Sequence, residues 1–120
     1  MRSAQPVLIV SSVSDAITWY QNVLGFETLM RTNDPDDEDL LNYAVLLNGS
    51  AGLALMRKGA ENVAGKGACN FVTKEFEQAL QSLKDAGATF YADLGEISSG
   101  QRTFGAKDPD GNLISFVEAP

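Results

Sequence analysis

Hydrophobic and polar positions along this chain follow two periods in turn, and the change of period marks its elements. After Pro6, the run Val7–Val10 is short and largely β-branched, which predicts a strand. The segment that follows has apolar residues three or four positions apart, as on one face of a helix. Gly25 comes next and is predicted to end that helix in the left-handed conformation.

The first half continues with three further strands, so its predicted order is β-α-β-β-β. The strands are predicted over 5–10, Phe26–Thr32, Leu40–Leu47 and Ala51–Arg57, and the helix runs from an N-cap at Ser14 or Asp15 to Leu24. Asn48-Gly49 predicts a hairpin turn before the last of these strands. The acidic run Asp34–Asp39 is predicted to be a solvated loop, because no partner cation is near it.

The second half repeats this order of elements. Strands are predicted over Ala68–Thr73, Thr89–Leu94, Gln101–Lys107 and Leu113–Glu118, with a helix over Glu75–Ala86 that Gly87 ends. Ser98-Ser99-Gly100 breaks the middle pair of strands, and a shift of 62 positions places Gly25 on Gly87. The glycine-rich segment 58–67 has no periodicity and is predicted to link repeat one, 5–57, to repeat two, 68–118, within a single domain spanning residues 1–120.

The stretch Asp108–Asn112, with the sequence Asp-Pro-Asp-Gly-Asn, predicts the turn that opens the last strand. Gly111 adopts a positive φ without steric cost, and Pro109 presets φ at the first central position. The Asp108 carboxylate can accept a hydrogen bond from the backbone two residues on.

Two copies of so small a unit cannot each bury a sheet face alone, so they must pack together, within one chain or across a dimer. The predicted fold class is therefore α+β. Two βαβββ repeats form a curved, partly open cup of mixed β-sheet around a shared hollow, with the helices on the outside.

Histidine is absent from the sequence, and this excludes several functions at once. A chain without histidine has no Ser/His/Asp or Cys/His triad, no imidazole general base and no metal site built from imidazoles. The net charge of −7 argues against nucleic acid and against anionic membrane surfaces as partners.

Cysteine usage and the length of apolar runs bear on the compartment. The single cysteine, Cys69, excludes a disulfide within the chain and is typical of a reducing compartment. The apolar run Val7–Val10 is too short to span a membrane, and Met1-Arg2 offers little of a signal peptide's charged start. We therefore expect a cytoplasmic protein that is not inserted in a membrane.

Two motifs stand at corresponding places in this duplicated chain. Trp-Tyr-x-x-Val-Leu-Gly-Phe (19–26) closes the first helix, and Asp-Pro-Asp-Gly-Asn-x-Ile (108–114) opens the last strand. With them, essentially the whole chain resembles the vicinal oxygen chelate superfamily, which contains glyoxalase I, extradiol dioxygenases, fosfomycin-resistance transferases and bleomycin-resistance proteins. The motifs specify the fold rather than the reaction, and Tyr20, Leu24 and Phe26 are predicted to be core residues.

In its metal-dependent members, the resemblance implies four inward-pointing ligands: His or Gln, Glu or His, His, and Glu. By the family's pattern these positions fall on Gln5, near Leu53, near Ala68 and on Ser115, and their neighbours Ala54, Leu55 and Cys69 restore neither a His nor a carboxylate. Divalent metals need about four to six N or O donors, usually one of them charged. We therefore expect neither a metal, nor another cofactor, nor catalytic residues. Glu118 is predicted to be an exposed charge on the opposite strand face.

A hollow without a metal remains a binding site for a small molecule. Strand alternation predicts that it is lined by Gln5, Val7 and Ile9, by Leu53, Leu55 and Arg57, by Ala68, Asn70 and Val72, and by Leu113, Ser115 and Val117. The ligand-binding candidates are Gln5, Val7, Leu53, Leu55, Arg57, Asn70 and Ser115, although any single one could equally be a core residue.

Three functions remain open from the sequence. We expect first a metal-free homodimer of the bleomycin-resistance type that sequesters a small cationic or aromatic molecule, such as an antibiotic or a metabolite. The alternative is a lyase or dioxygenase of the same superfamily with a degenerate or unrecognised metal site. A third is a structural or regulatory interaction domain that binds a protein partner.

Overall fold

Ten elements make up the chain in the computed structural model, which describes residues 5–96 and 100–120 and, within these, no side chain of 92–96. They are β1 (Val7–Val10), α1 (Val13–Leu24), β2 (Glu27–Asp34), β3 (Asp37–Asn48), β4 (Ala51–Arg57), β5 (Ala68–Thr73), α2 (Phe76–Asp85), β6 (Phe90–Glu96), β7 (Arg102–Lys107) and β8 (Leu113–Glu118). The predicted break at Ser98-Ser99-Gly100 lies mostly outside the described residues.

The strands form two mixed four-stranded sheets with the same topology. Their orders are β1-β4-β3-β2 and β5-β8-β7-β6, each opening on a parallel pair followed by two antiparallel pairs. Neither described sheet closes into a barrel. The predicted α+β fold of two βαβββ repeats in open, mixed sheets is thus confirmed.

One hydrophobic cluster joins the two repeats. Its members come from one face of each sheet and from both helices, and α1 contacts α2 directly. A chain of aromatic rings crosses from one repeat to the other, with Phe26 at 5.5 Å from Phe71 and Phe71 at 5.5 Å from Phe116. Tyr20 and Phe26 are buried and Leu24 is half-buried against the cluster, in agreement with their predicted place in the core. Each repeat therefore buries its helix-bearing sheet face partly against the other repeat.

Helix α1 begins two or three residues earlier than the sequence pattern suggests. Its N-cap is Ser12, whose side chain accepts a hydrogen bond from the Asp15 backbone N–H at 3.2 Å, so the predicted cap at Ser14 or Asp15 is wrong. At the other end Gly25 has φ 72°, as predicted, and its N–H donates to Gln21. Gly87 after α2 has φ 71°, so both helices end before a left-handed glycine.

The acidic run is part of a β-hairpin rather than a solvated loop. Strands β2 and β3 extend to Asp34 and Asp37, and only two residues separate them. No cation is predicted near this run from the sequence, but Arg57 pairs with it. The Arg57 guanidinium lies 3.3 Å from the Asp34 carboxylate and donates to Asn42 Oδ1 at 2.8 Å. The pKa of Asp34 is held below its usual value, mainly by hydrogen bonds from the Asp36 backbone and the Asn42 amide, with Arg57 adding to them.

The turn at Asp108–Asn112 fastens repeat two to repeat one. Asp108 is 4% exposed, and one of its oxygens accepts from the backbone N–H groups of Asp110 at 3.0 Å and Asn112 at 2.9 Å, as the turn motif predicts. The other oxygen accepts from Tyr20 in α1 at 2.9 Å, and burial raises the pKa of Tyr20, so the phenol stays a donor. The Asn112 side-chain amide donates to the Ile9 carbonyl and accepts a hydrogen bond from the Gly67 N–H. A turn signature in the sequence therefore also joins the two repeats.

Glu118 is half-buried and paired, so its prediction as an exposed charge is wrong. Arg102 donates to its carboxylate at 2.7 Å, also pairs with Glu77 on α2, and lies 4.7 Å from the Phe76 ring centre. The hydrogen bonds from Arg102 hold the pKa of Glu118 below its usual value. This network ties the end of β8 to α2.

Among the described residues, α1 and α2 are both too short and too polar to cross a bilayer.

Candidate functional site

Each sheet has one face that carries its helix and one that carries none, and we call the second the uncovered face. In repeat one, β1 pairs with β4 in a register that sets Val7 beside Ala54 and Leu8 beside Leu55. Leu8 and Leu55 are fully buried in the shared core, so Val7 and Ala54 belong to the uncovered face. The odd-numbered positions of β4 therefore lie on the helix side.

This register corrects three of the predicted site residues. Leu53 and Leu55 are fully buried in the core, and Arg57 follows them on the same side, where it pairs with Asp34. The prediction that these three residues share a face with Gln5, Val7 and Ile9 is wrong. Alternation along a strand shows which residues share a face. Strand β4 is apolar on both faces, so its sequence does not show which of the two faces packs against the helix.

The uncovered face of repeat one is apolar and partly exposed. Val7, Ala54, Val45 and Met30 form one row across the four strands. The inner two are shielded by their neighbours, whereas Val7 is 46% and Met30 49% exposed at the ends of the row. Gln5 lies over Gly52, where a Cβ would stand 3.0 Å from its Nε2, so its amide borders this row.

The uncovered face of repeat two is more polar, and here the structure brings two predicted residues together. Asn70 and Ser115 are partners across the parallel pair β5 and β8, and the Ser115 hydroxyl donates to Asn70 Oδ1 at 2.7 Å. The Asn70 amide nitrogen thereby points away from Ser115 as a hydrogen-bond donor. Cys69 next to them faces the core, where burial raises the pKa of its thiol to about 12.

Tyr91 is a candidate site residue that the sequence analysis missed. Gly105 pairs with Ser115 on the neighbouring strand, and a Cβ on Gly105 would stand 2.6 Å from Cε1 and from the hydroxyl of Tyr91. The phenol ring therefore lies directly on the β7 backbone beside Ser115, and it is 38% exposed. A glycine inside a strand is the sequence signal for such a close approach.

The four family ligand positions do not provide the donors that a divalent metal needs. Leu53 is closed within the core, Ala68 has no donor, and the Ser115 hydroxyl is bonded to Asn70. The uncovered-face residues near Leu53 are Gly52 and Ala54, which have no donor side chain either. Only the Gln5 amide remains, and a neutral amide is a weak ligand on its own. No cluster of three or more His, Cys, Asp or Glu occurs among the described residues.

Within the described parts of the chain, no hydrogen bond joins Gln5 on the uncovered face of repeat one to Asn70 or Ser115 on that of repeat two. A cavity of about 570 Å³ does lie between the repeats, but on the helix side, between the end of α1 and the start of α2. It contains none of the ligand-binding candidates, and of the residues predicted to line the hollow only Val72 borders it; Phe26, Phe71 and Phe116 also line it.

Solved structures with the same fold include two proteins whose names mention an antibiotic. TioX from Micromonospora sp. ML1 has a TM-score of 0.78 at 19% identity, over 98% of this chain and 100% of its own. A bleomycin-binding protein, solved in complex with bleomycin, has a TM-score of 0.75 at 17% identity over 100% of both chains. The fosfomycin resistance protein FosX from Listeria monocytogenes, complexed with Mn(II) and sulfate, has a TM-score of 0.72 at 13% identity, over 98% of this chain and 90% of its own.

At such identities these likenesses establish the fold alone. No curated protein matches the chain in sequence. The family model described as Glyoxalase/Bleomycin resistance protein/Dioxygenase superfamily matches residues 2–116, in agreement with the resemblance carried by the two motifs. The chain therefore belongs to the glyoxalase/bleomycin resistance protein/dioxygenase superfamily.

Proposed function

We propose that this protein is a metal-free member of the superfamily that binds and sequesters a small organic molecule, such as an antibiotic or a metabolite. One observation carries the proposal: at the four positions where metal-dependent members place ligands, this chain offers one amide and one hydroxyl already engaged by Asn70. Lewis-acid chemistry needs a held cation, so a chain with this donor set is suited to binding rather than to turnover. The bleomycin complex of a protein with this fold supports a binding role.

We further propose that the binding site is completed by a second copy of the chain. The apolar side chains exposed on the uncovered faces, Val7, Met30 and Met56 in repeat one and Val72 in repeat two, form the kind of surface that soluble proteins bury against a partner. Pairing through a two-fold axis would set the uncovered face of repeat one against that of repeat two in the other protomer. The resulting hollow would be apolar on one side and hydrogen-bonding on the other, as small-molecule pockets are.

Ligand binding is tested by thermal unfolding of untagged protein with a panel of bleomycin, aromatic amines and aromatic acids. A true ligand at about 100 times its Kd stabilises the fold by about 2.7 kcal/mol and raises Tm by on the order of 10 °C. Elemental analysis of the same sample is expected to find Zn, Ni, Mn and Fe far below one atom per chain. Stoichiometric metal would favour a superfamily enzyme, and an unchanged Tm across the panel would contradict ligand binding.

The homodimer is tested by sedimentation at micromolar concentration. We expect the mass of two chains for the unmodified protein and a shift to monomer in Met30→Arg, because a charge on the uncovered face would be buried without a partner. Val63→Arg is the matched control, since Val63 is 60% exposed and lies in the linker, outside the strands of both sheets. A monomeric parent protein, or equal dissociation of the two variants, counts against this assembly.

A further inference from the structure

A planar platform lies on the uncovered face of repeat two. Strands β6 and β7 pair Phe90 with Ala106 and Ala92 with Gly105, so Tyr91 occupies an irregularity in the ladder. Such a bulge re-aims a side chain, and here it sets the ring of Tyr91 flat against Gly105, where the missing Cβ leaves room. The opposite side of the ring faces away from the strand, and Tyr91 is 38% exposed. A flat, exposed phenol held by the backbone beneath it suits stacking against another aromatic ring.

A hydrogen-bonding pair lies beside this ring. Ser115 is the neighbour of Gly105 on β8, and Asn70 is the neighbour of Ser115 on β5. The bond from Ser115 to Asn70 Oδ1 fixes the amide orientation, so that the Asn70 nitrogen presents donors on the same face, two strands or about 10 Å from Gly105. A ligand atom with a lone pair, such as a ring nitrogen or a phenolic or carbonyl oxygen, fits this position.

One cation stands on the same face. Lys107 lies two residues beyond Gly105 on β7, about 7 Å along the strand, and its side chain leaves the sheet on the same side. It makes no ion pair with any residue that the structure describes. Among the described residues that β5, β7 and β8 present to this face, Lys107 is the only charged group. An anionic substituent on a stacked ring would find its counter-charge there.

We propose that the uncovered face of repeat two binds planar aromatic carboxylic acids. The ring stacks on Tyr91 and the carboxylate pairs with Lys107; in ligands whose ring carries an acceptor, that atom takes a hydrogen bond from Asn70. The inference rests on the proposed small-molecule function and narrows its ligand class. An anionic ligand differs from the cationic ligand that the net charge of −7 would favour. The field of that net charge is screened over about 8 Å, whereas Lys107 would contact the carboxylate directly.

The test uses 2-naphthoate, its neutral analogue 2-naphthamide, and the non-planar cyclohexanecarboxylate, each titrated by calorimetry into the full-length protein. We expect 2-naphthoate to bind most tightly and cyclohexanecarboxylate least. Lys107→Gln is expected to weaken 2-naphthoate about tenfold while leaving 2-naphthamide unchanged, since only the acid uses the ammonium. Tyr91→Leu is expected to weaken both naphthyl compounds, and Lys58→Gln, which removes a charge outside the face, neither.

Backbone amide shifts in an NMR titration locate the ligand and separate this inference from the broader function. Shifts caused by 2-naphthoate at Ser115, Asn70 and Gly105 support it. Binding of other panel compounds at this face with no binding of 2-naphthoate overturns the aromatic-acid class and leaves the proposed function standing. Equal weakening of acid and amide by Lys107→Gln removes the role of the ammonium. A face that no compound perturbs overturns this inference and the proposed site between the two uncovered faces.

Discussion

Asp108→Ala is expected to lower the free energy of unfolding by about 4 kcal/mol, because it removes the acceptor at the centre of a buried network. The Asp108 carboxylate accepts four hydrogen bonds, from Tyr20, from the backbone of Asp110 and from both the backbone and the side chain of Asn112. Asp108, Tyr20 and Asn112 are all nearly or fully buried, so water cannot replace the lost acceptor. Each buried donor left unpaired costs about 1–3 kcal/mol.

Urea denaturation followed by circular dichroism measures this loss. Tyr20→Phe removes one donor and leaves the Asp108 carboxylate with the other three, so we expect the free energy of unfolding to fall by about 1–2 kcal/mol. This variant still tests the network if Asp108→Ala does not fold. Glu61→Ala removes an exposed carboxylate and should change the free energy of unfolding by less than roughly 0.5 kcal/mol, as is usual for a surface substitution. In the double variant the losses at Tyr20 and Asp108 should not add, since both report one interaction. A loss below about 1 kcal/mol for Asp108→Ala would mean that the network does not hold the repeats together.

Gly65→Ala is expected to cost about 3–4 kcal/mol, far more than Gly87→Ala at about 1 kcal/mol. Both glycines have positive φ, 80° and 71°, so the backbone strain of an alanine is similar at the two sites. The space around them differs. A Cβ on Gly65 would collide with the Asp110 carbonyl oxygen, whereas a Cβ on Gly87 meets no atom within 4 Å. The difference in unfolding free energy between the two variants therefore measures how tightly the linker backbone packs against the turn backbone.

The pair is well matched because glycine-to-alanine substitution restricts the unfolded chain equally at both positions. Gly65 also donates its N–H to the Ile9 carbonyl at 3.2 Å, so a displaced linker would lose a contact with β1. Equilibrium denaturation of the two variants under one set of conditions gives the comparison. Equal losses of unfolding free energy in the two variants would show that the linker backbone shifts at little cost and that its close contact with the turn contributes little to stability.

Local chemistry explains why most of the fold could be predicted. Gly25, Gly87 and Gly111 have positive φ, and each stands at the end of a helix or in a turn that the sequence marks. Strand β8 has the predicted bounds, Leu113–Glu118, because the turn before it and the apolar alternation within it agree. Where local signals compete, a predicted boundary is less accurate. Ser12, Ser14 and Asp15 can all cap α1, so the predicted start of this helix differs from the observed one by less than one helical turn.

For some candidate residues the sequence predicted the strand face on which the structure places them. Asn70 and Ser115 lie together on the uncovered face of repeat two, and Val7 lies on that of repeat one. Leu53 and Leu55 belong to the core, because the phase of β4 is set by its register with β1. Arg57 is engaged by Asp34, 23 positions away in the sequence, and no local pattern predicts such a pairing.

By itself, the sequence determined the order and type of the elements, their duplication, the turns and the poverty of metal donors, since periodicity and residue chemistry act over a few neighbouring positions. Only the tertiary structure decided which face of β4 is buried, that Asp108 is shared with Tyr20, and that Tyr91 lies on Gly105. These features depend on strand register and on contacts between residues up to 88 positions apart. They are fixed when the two repeats pack, because only then does burial select one register and one partner for each polar group.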